Sequence, residues 1–296
     1  MMQVRTFAAA VGVLVACGGA PPPAPAVATA SAGASPAEGT AVSADGLPIF
    51  YRSTGSGEPT VVLVHCWGCS SDEWAGAIPA LATNHRVIAL DLAGHGRSGK
   101  TRKAWSVPAF VGDLRAVMDK LGVTKAILVG HSMSGPIVVE AAVEMPAKIV
   151  GLVPIDTLQD VGHPEDAAEN AQLFAAFRAN FAATVEQLVR AVVPRTADPA
   201  VIDRILAFER ANDPAIAVPI LEANWSFPTK EAFAKVAVPI ISINADLFPT
   251  NEAGNKAISP QYQLRLIKGV GHWPMLEAPD RFNALLVQAV AELTAK

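Results

Sequence analysis

The chain has 296 residues, of which 51% are hydrophobic and 17% charged, and its net charge is −4. That length holds one large domain with a sizeable core, or two small ones. No basic patch interleaved with aromatics appears, which argues against a nucleic-acid partner, and three cysteines are too few for a disulfide-stapled scaffold.

The N-terminal stretch MMQVRTFAAAVGVLVAC carries one Arg and an apolar run from Phe7 to Ala16. The run is too short to cross a bilayer and reads as the apolar part of a signal peptide, residues 1–16. Leu14-Val15-Ala16-Cys17 resembles a bacterial lipobox, which implies cleavage before Cys17 and lipidation of its thiol. An exported lipoprotein is therefore expected, membrane-bound through that anchor only, with the folded part outside the cytoplasm. Residues 17–45 are rich in Ala, Pro, Gly, Ser and Thr. Such a segment buries too little apolar surface to offset its ordering entropy, so it is expected to be a disordered tether, with folding from about Gly46.

Continuous apolar runs follow at 60–65, 85–92, 125–130, 149–156, 238–245 and 262–269, alternating with helical patterns such as 107–122 and 136–146. Runs of this kind are strands buried on both faces. The alternation predicts an α/β fold, a doubly wound, mostly parallel sheet, over 46–156 and 233–296. Between 157 and 232 no strand candidate occurs. Helix starts appear instead at His163-Pro164-Glu165-Asp166, Thr184-x-x-Gln187, Asp198-Pro199 and Asp213-Pro214. This insertion is expected to be a helical cap over the C-terminal edge of the sheet, where ligand crevices of such folds lie.

The first strand runs into Cys66-Trp67-Gly68-Cys69. A redox dithiol needs an exposed thiol at a helix start, and an exported protein favours a structural disulfide over that. Zinc lacks a matching distant ligand pair, so no metal is expected. Two cysteines in a turn that exists for another purpose is the remaining reading.

At Gly130-His131-Ser132-Met133-Ser134-Gly135 a strand ends and an apolar helix begins. A serine on so tight a turn needs small neighbours, and the turn aims both its Oγ and the next N–H, that of Met133, toward the crevice. Ser134, already in the helix's first turn, is the weaker nucleophile candidate. A base must take the serine proton. Near the C-terminus Gly269, Gly271, His272, Glu277, Pro279 and Phe282 follow the last strand candidate, with His272 in a turn.

Together with the Ser132 turn, this pattern closely resembles the α/β-hydrolase superfamily. The resemblance implies a nucleophile Ser132, a base His272 and an acid in the loop after the penultimate strand. There Asp246 precedes Pro249, and Asp246 is taken as the acid; Asp156, after the strand following the serine turn, is the superfamily's alternative place. It also implies that the loop after His65, with Cys66 where glycine is usual, supplies a second oxyanion donor through the Trp67 main chain. Asp91, Gly94, Gly96 and Ser98 resemble a further superfamily turn, with His95 as part of it.

The activity implied is hydrolysis of a small or medium-chain carboxylic ester through an acyl-enzyme, with no cofactor. Carbon–carbon bond hydrolysis and cofactor-free perhydrolysis use the same constellation, and a degenerate ligand-binding relative is the non-enzyme alternative. Phe174, Phe177, Phe181, Phe208 and Trp225 are candidates for an apolar acyl pocket or for packing within the cap.

Overall fold

The computed structural model describes residues 37–163 and 166–295. Cys17 and the signal segment lie outside the described residues. Eight strands form one sheet: β1 (Ala37–Val42), β2 (Pro48–Thr54), β3 (Thr60–Val64), β4 (Val87–Leu90), β5 (Ala126–His131), β6 (Ile149–Ile155), β7 (Ile240–Ala245) and β8 (Tyr262–Ile267). Their spatial order is β1-β2-β4-β3-β5-β6-β7-β8. β1 and β2 are antiparallel to their neighbours, and β3 to β8 are parallel.

The six expected strands are all present within a few residues of their predicted limits. Val61–Val64, Val87–Leu90 and Ala126–Val129 are 0–1% exposed, as strands covered on both faces must be. The edge pair is where the sequence reading fell short. β1 occupies 37–42, inside the stretch expected to be a tether, and pairs along its whole length with β2. Its sequence AEGTAV carries little apolar surface; what orders it is the row of backbone partners that β2 offers.

Helices Val107–Lys120, Ser134–Glu144 and Pro279–Thr294 connect or follow the parallel strands. Among the described residues between β6 and β7 lie five helices, Ala167–Ala179, Phe181–Ala191, Pro199–Arg210, Pro214–Trp225 and Thr229–Phe233. Asp166, Asp198 and Asp213 cap three of them, each side chain accepting from an N–H of the first turn. The Thr184 start is displaced. The helix begins at Phe181, Asn180 accepts the Ala183 N–H, and Thr184 Oγ1 donates back to the Asn180 carbonyl. Asn180 ranks above Thr as a cap, and its place one turn earlier decides the start.

This insertion is tied to the sheet's C-terminal edge by hydrogen bonds that end on main-chain carbonyls. Trp67 Nε1 donates to the Ala217 carbonyl at 2.8 Å, Asn212 Nδ2 to Gly68 at 2.8 Å and Asn224 Nδ2 to Met133 at 2.9 Å. The His272 N–H donates to Val192 at 2.9 Å. Three loops of the sheet edge are thereby fixed to one helical layer.

Candidate active site

β5 is parallel to both its neighbours, and its C-terminal end delivers Ser132 with φ +52°, a left-handed conformation rarely adopted by a serine. The crowding this causes explains the small neighbours. A Cβ at Gly130 would stand 2.7 Å from the Ser134 carbonyl, and one at Gly135 would run into the Thr157 side chain. The residue that departs from the usual glycine, Ser134, is fully buried, and its Oγ donates to the His65 carbonyl at 2.6 Å. It therefore braces the loop after β3 and does not face the crevice.

Ser132 Oγ lies 2.7 Å from His272 Nε2, and His272 Nδ1 lies 2.6 Å from Asp156 Oδ2. A carboxylate on Nδ1 fixes the tautomer with Nδ1–H donating and Nε2 bare, ready to accept the serine proton. Asp156 follows β6, and its Oδ1 also accepts the Ala245 N–H at 2.9 Å. The expectation for Asp246 is corrected here. That side chain is exposed and accepts the Gly269 N–H at 2.7 Å, bracing the turn after β8 without touching the imidazole.

His272 is held from behind. Glu277 Oε2 accepts the Gly271 N–H at 2.7 Å and Oε1 the Trp273 N–H at 3.0 Å, so one carboxylate clamps both sides of the histidine. Burial pushes the Glu277 carboxyl upward, opposed by these two bonds.

Cys66 and Cys69 are joined in a disulfide with their Cα atoms 5.3 Å apart, and both are buried. The pair therefore belongs to a covalently closed turn rather than to a free dithiol. Inside it, Trp67 packs its ring edge-on against Phe177 at 5.3 Å and Phe181 at 6.0 Å. Among the described residues no protein acceptor engages the main-chain N–H of Trp67 or of Met133. The Met133 N–H belongs to the residue that follows Ser132 and lines the same cavity.

The Asp91 turn matches its expected form. Asp91 accepts the Ser71 and Arg97 N–H groups, both at 2.7 Å, and Ser98 Oγ donates to the Asp91 carbonyl. His95 is buried in that turn, and desolvation lowers it to about 3, so it stays neutral.

Ser132, His272 and Asp156 open onto a cavity of about 870 Å³ whose apolar wall includes Met133, Leu158, Trp225 and Phe227. Asp160, Lys230 and Glu231 stand on its polar side. Of the five aromatics proposed for an acyl pocket, Trp225 alone lines this cavity. Phe174 packs on Trp225 with its ring tilted, Phe177 and Phe181 pack on Trp67, and Phe208 lies under Arg204.

A model described as the alpha/beta hydrolase family matches residues 61–285. The chain belongs to the alpha/beta hydrolase family. It is 33% identical over 108 residues to the dihydrolipoyllysine-residue acetyltransferase component of the acetoin cleaving system of Cupriavidus necator, a match covering 36% of this chain and 29% of that one. Against a non-heme haloperoxidase of Rhodococcus erythropolis it is 34% identical over 143 residues, 46% of this chain and 51% of that one. The chain thus spans only 29% and 51% of these curated relatives. A thermophilic esterase from Thermogutta terrifontis, with malate bound, shares the fold at a TM-score of 0.75 and 21% identity, over 88% of this chain and 99% of that one.

Two acids of this alpha/beta hydrolase escaped the sequence reading. Glu73, next to the buried Trp74, and Glu209, in the helix Pro199–Arg210, are both buried near the disulfide turn. Burial pushes Glu209 well above the ordinary carboxylate range, with Glu73 adding to the effect. Lone glutamates in polar helix-turn sequence read as solvated, and nothing local marks these two as buried.

Proposed function

We propose that the protein is a serine hydrolase of small or medium-chain carboxylic esters. The observation that carries this reading is the unbroken relay from Ser132 Oγ through the His272 ring to Asp156, at 2.7 and 2.6 Å, lining a cavity with both apolar and polar walls. His272 takes the serine proton as Oγ attacks the ester carbonyl, and Asp156 stabilises the imidazolium so formed. The Trp67 and Met133 N–H groups receive the oxyanion. The alcohol leaves with the proton from His272, and water, deprotonated by the same ring, releases the acid from the acyl-enzyme.

The decisive experiment is labelling with a fluorophosphonate, read by peptide mass spectrometry. Phosphonate on Ser132 that disappears in His272→Ala supports the reading; a folded, unlabelled wild type removes it. Likeness to a non-heme haloperoxidase makes peracid formation from acetate and peroxide the second assay.

We also propose that Cys17 carries a lipid that anchors the exported protein. Metabolic labelling with a fatty acid analogue should mark the full chain and spare Cys17→Ala; equal labelling of both would remove the anchor.

A further inference from the structure

Behind the proposed nucleophile lie two side chains that the relay does not use. Glu73, in the single turn Ser71–Trp74, and His131, the last residue of β5, have fully buried side chains. Glu73 Oε1 accepts the Cys66 N–H at 3.1 Å, and Glu73 Oε2 faces His131 Nδ1 at 3.2 Å. On its other side, His131 Nε2 meets the main-chain carbonyl of His272 at 2.7 Å. The pair thus touches the loop that carries Trp67 and the loop that carries the base.

Proton counting fixes its state. A carbonyl oxygen has no proton to offer, so Nε2 must carry one and donate it. With Nε2 protonated, Nδ1 of a neutral ring is bare, and a bare nitrogen facing a carboxylate would leave two acceptors opposed where no water reaches. One further proton must lie between them. Either the acid or the ring holds it, and burial penalises the charged arrangement. Both groups shift accordingly: desolvation is the leading cause that lifts Glu73 to about 8 and the leading cause that lowers His131 to about 3. The other ionisable groups felt at the pair are His65 and His272 at Glu73, and His272 and Asp156 at His131, while Glu209 feels Glu73 in turn.

We propose that Glu73 is a neutral carboxylic acid that donates to His131, and that the two are positioning residues holding the oxyanion loop and the base loop in mutual register. Its kinetic consequence rests on the serine hydrolase reading above; its protonation state does not. When the shared proton is lost at alkaline pH, the ring must give up either its bond to the His272 carbonyl or its bond to Glu73. The two loops then lose their common brace. In Glu73→Gln the amide oxygen accepts from Cys66 and the amide N–H donates to Nδ1, with no proton to lose, so the brace persists at every pH. In Glu73→Leu both bonds are gone.

The test uses the whole protein with ¹⁵N-labelled histidine. Ring nitrogens are followed from about pH 6 to about pH 10, with the His131 signals assigned by their absence in His131→Asn. The expected pattern at neutral pH is a neutral ring protonated on Nε2, changing as pH rises through about 8 in wild type and unchanging in Glu73→Gln. A ring cation, or an Nδ1–H tautomer, at neutral pH overturns the proposal.

In ester turnover, Glu73→Leu should lose about ten-fold or more in kcat with KM within about two-fold, and Glu73→Gln should restore most of it and abolish the alkaline fall. Equal kcat for the Leu and Gln variants, whether high or low, overturns the positioning role. If Glu73→Leu does not fold, the alkaline limb of wild type against Glu73→Gln decides alone. Absence of turnover in wild type would count against the hydrolase reading, and the ring nitrogens would still decide the pair.

Discussion

The Asp156 carboxylate and the His272 imidazole, 116 positions apart in the chain, meet at 2.6 Å. β6 lies directly beside β5, whose end carries Ser132, whereas β7, which leads to Asp246, is one strand further out. Asp156 thus meets the imidazole, while Asp246 accepts the Gly269 N–H in the turn after β8.

Asp156→Asn should therefore lower kcat by about 10³-fold or more, because an amide at Nδ1 favours the wrong tautomer and cannot stabilise the imidazolium. Asp246→Asn should stay within about three-fold of wild type, since it alters one bond to a main-chain N–H. Steady-state kinetics on a chromogenic ester separates the two, and the opposite ranking would return the acid to Asp246.

Ser134→Ala should destabilise the protein by about 1–3 kcal/mol, since it leaves the buried His65 carbonyl without its donor. Phosphonate labelling of Ser132 should survive. Denaturant unfolding alongside labelling reads both, and a folded variant with no label would make Ser134 part of the chemistry.

Gly68 has φ +73° and sits against the Glu209 carboxyl group, which occupies the space a Cβ would need. Gly68→Ala should cost about 1–3 kcal/mol and shift Trp67, lowering kcat more than it raises KM. Glu209→Ala in the same chain should recover part of the loss by vacating that space. No recovery would mean that backbone strain alone is responsible.

Stability should be greatest between about pH 4.5 and about pH 6.5 and decline on both sides. His95 and His131, lowered from 6.5 to about 3, hold fewer protons folded than unfolded across that window, so their contribution is lost on acidification. Asp45, lowered to about 2 by Arg102, adds to the acid loss below 3.8. Glu73 runs the other way: raised from 4.5 to about 8, it holds an extra proton when folded, and its contribution falls as pH rises to about 8. Glu209 acts with the same sign. Between 4.5 and 6.5 the two groups oppose each other. Thermal unfolding across the range checks the shape, and Glu73→Gln should soften the alkaline decline. Stability that rises from pH 6.5 to pH 8 would contradict it.

Much of the site was legible because its constraints are local. Ser132 is marked by the small residues its strained turn demands, and His272 by Gly271 and Glu277, which the structure explains as the two ends of one clamp. The parallel strands declared themselves through apolar runs that only two-sided burial requires. β1 did not, because an edge strand needs partners more than apolar residues. The aromatic residues of the cap were visible as a group, but which of them faces the cavity depends on helix rotation.

By itself, the sequence determined the alternation of strands and helices and marked Ser132 and His272 as the candidate nucleophile and base, since each follows from the geometry of a few adjacent residues. Tertiary structure alone decided which aspartate meets His272, the closed Cys66–Cys69 turn and the buried Glu73–His131 pair. Chain order is the same for Asp156 and Asp246, and a glutamate in a polar turn looks solvated until the elements packed over it remove the water. What decides between such alternatives is distance and dielectric, and both are properties of the assembled fold.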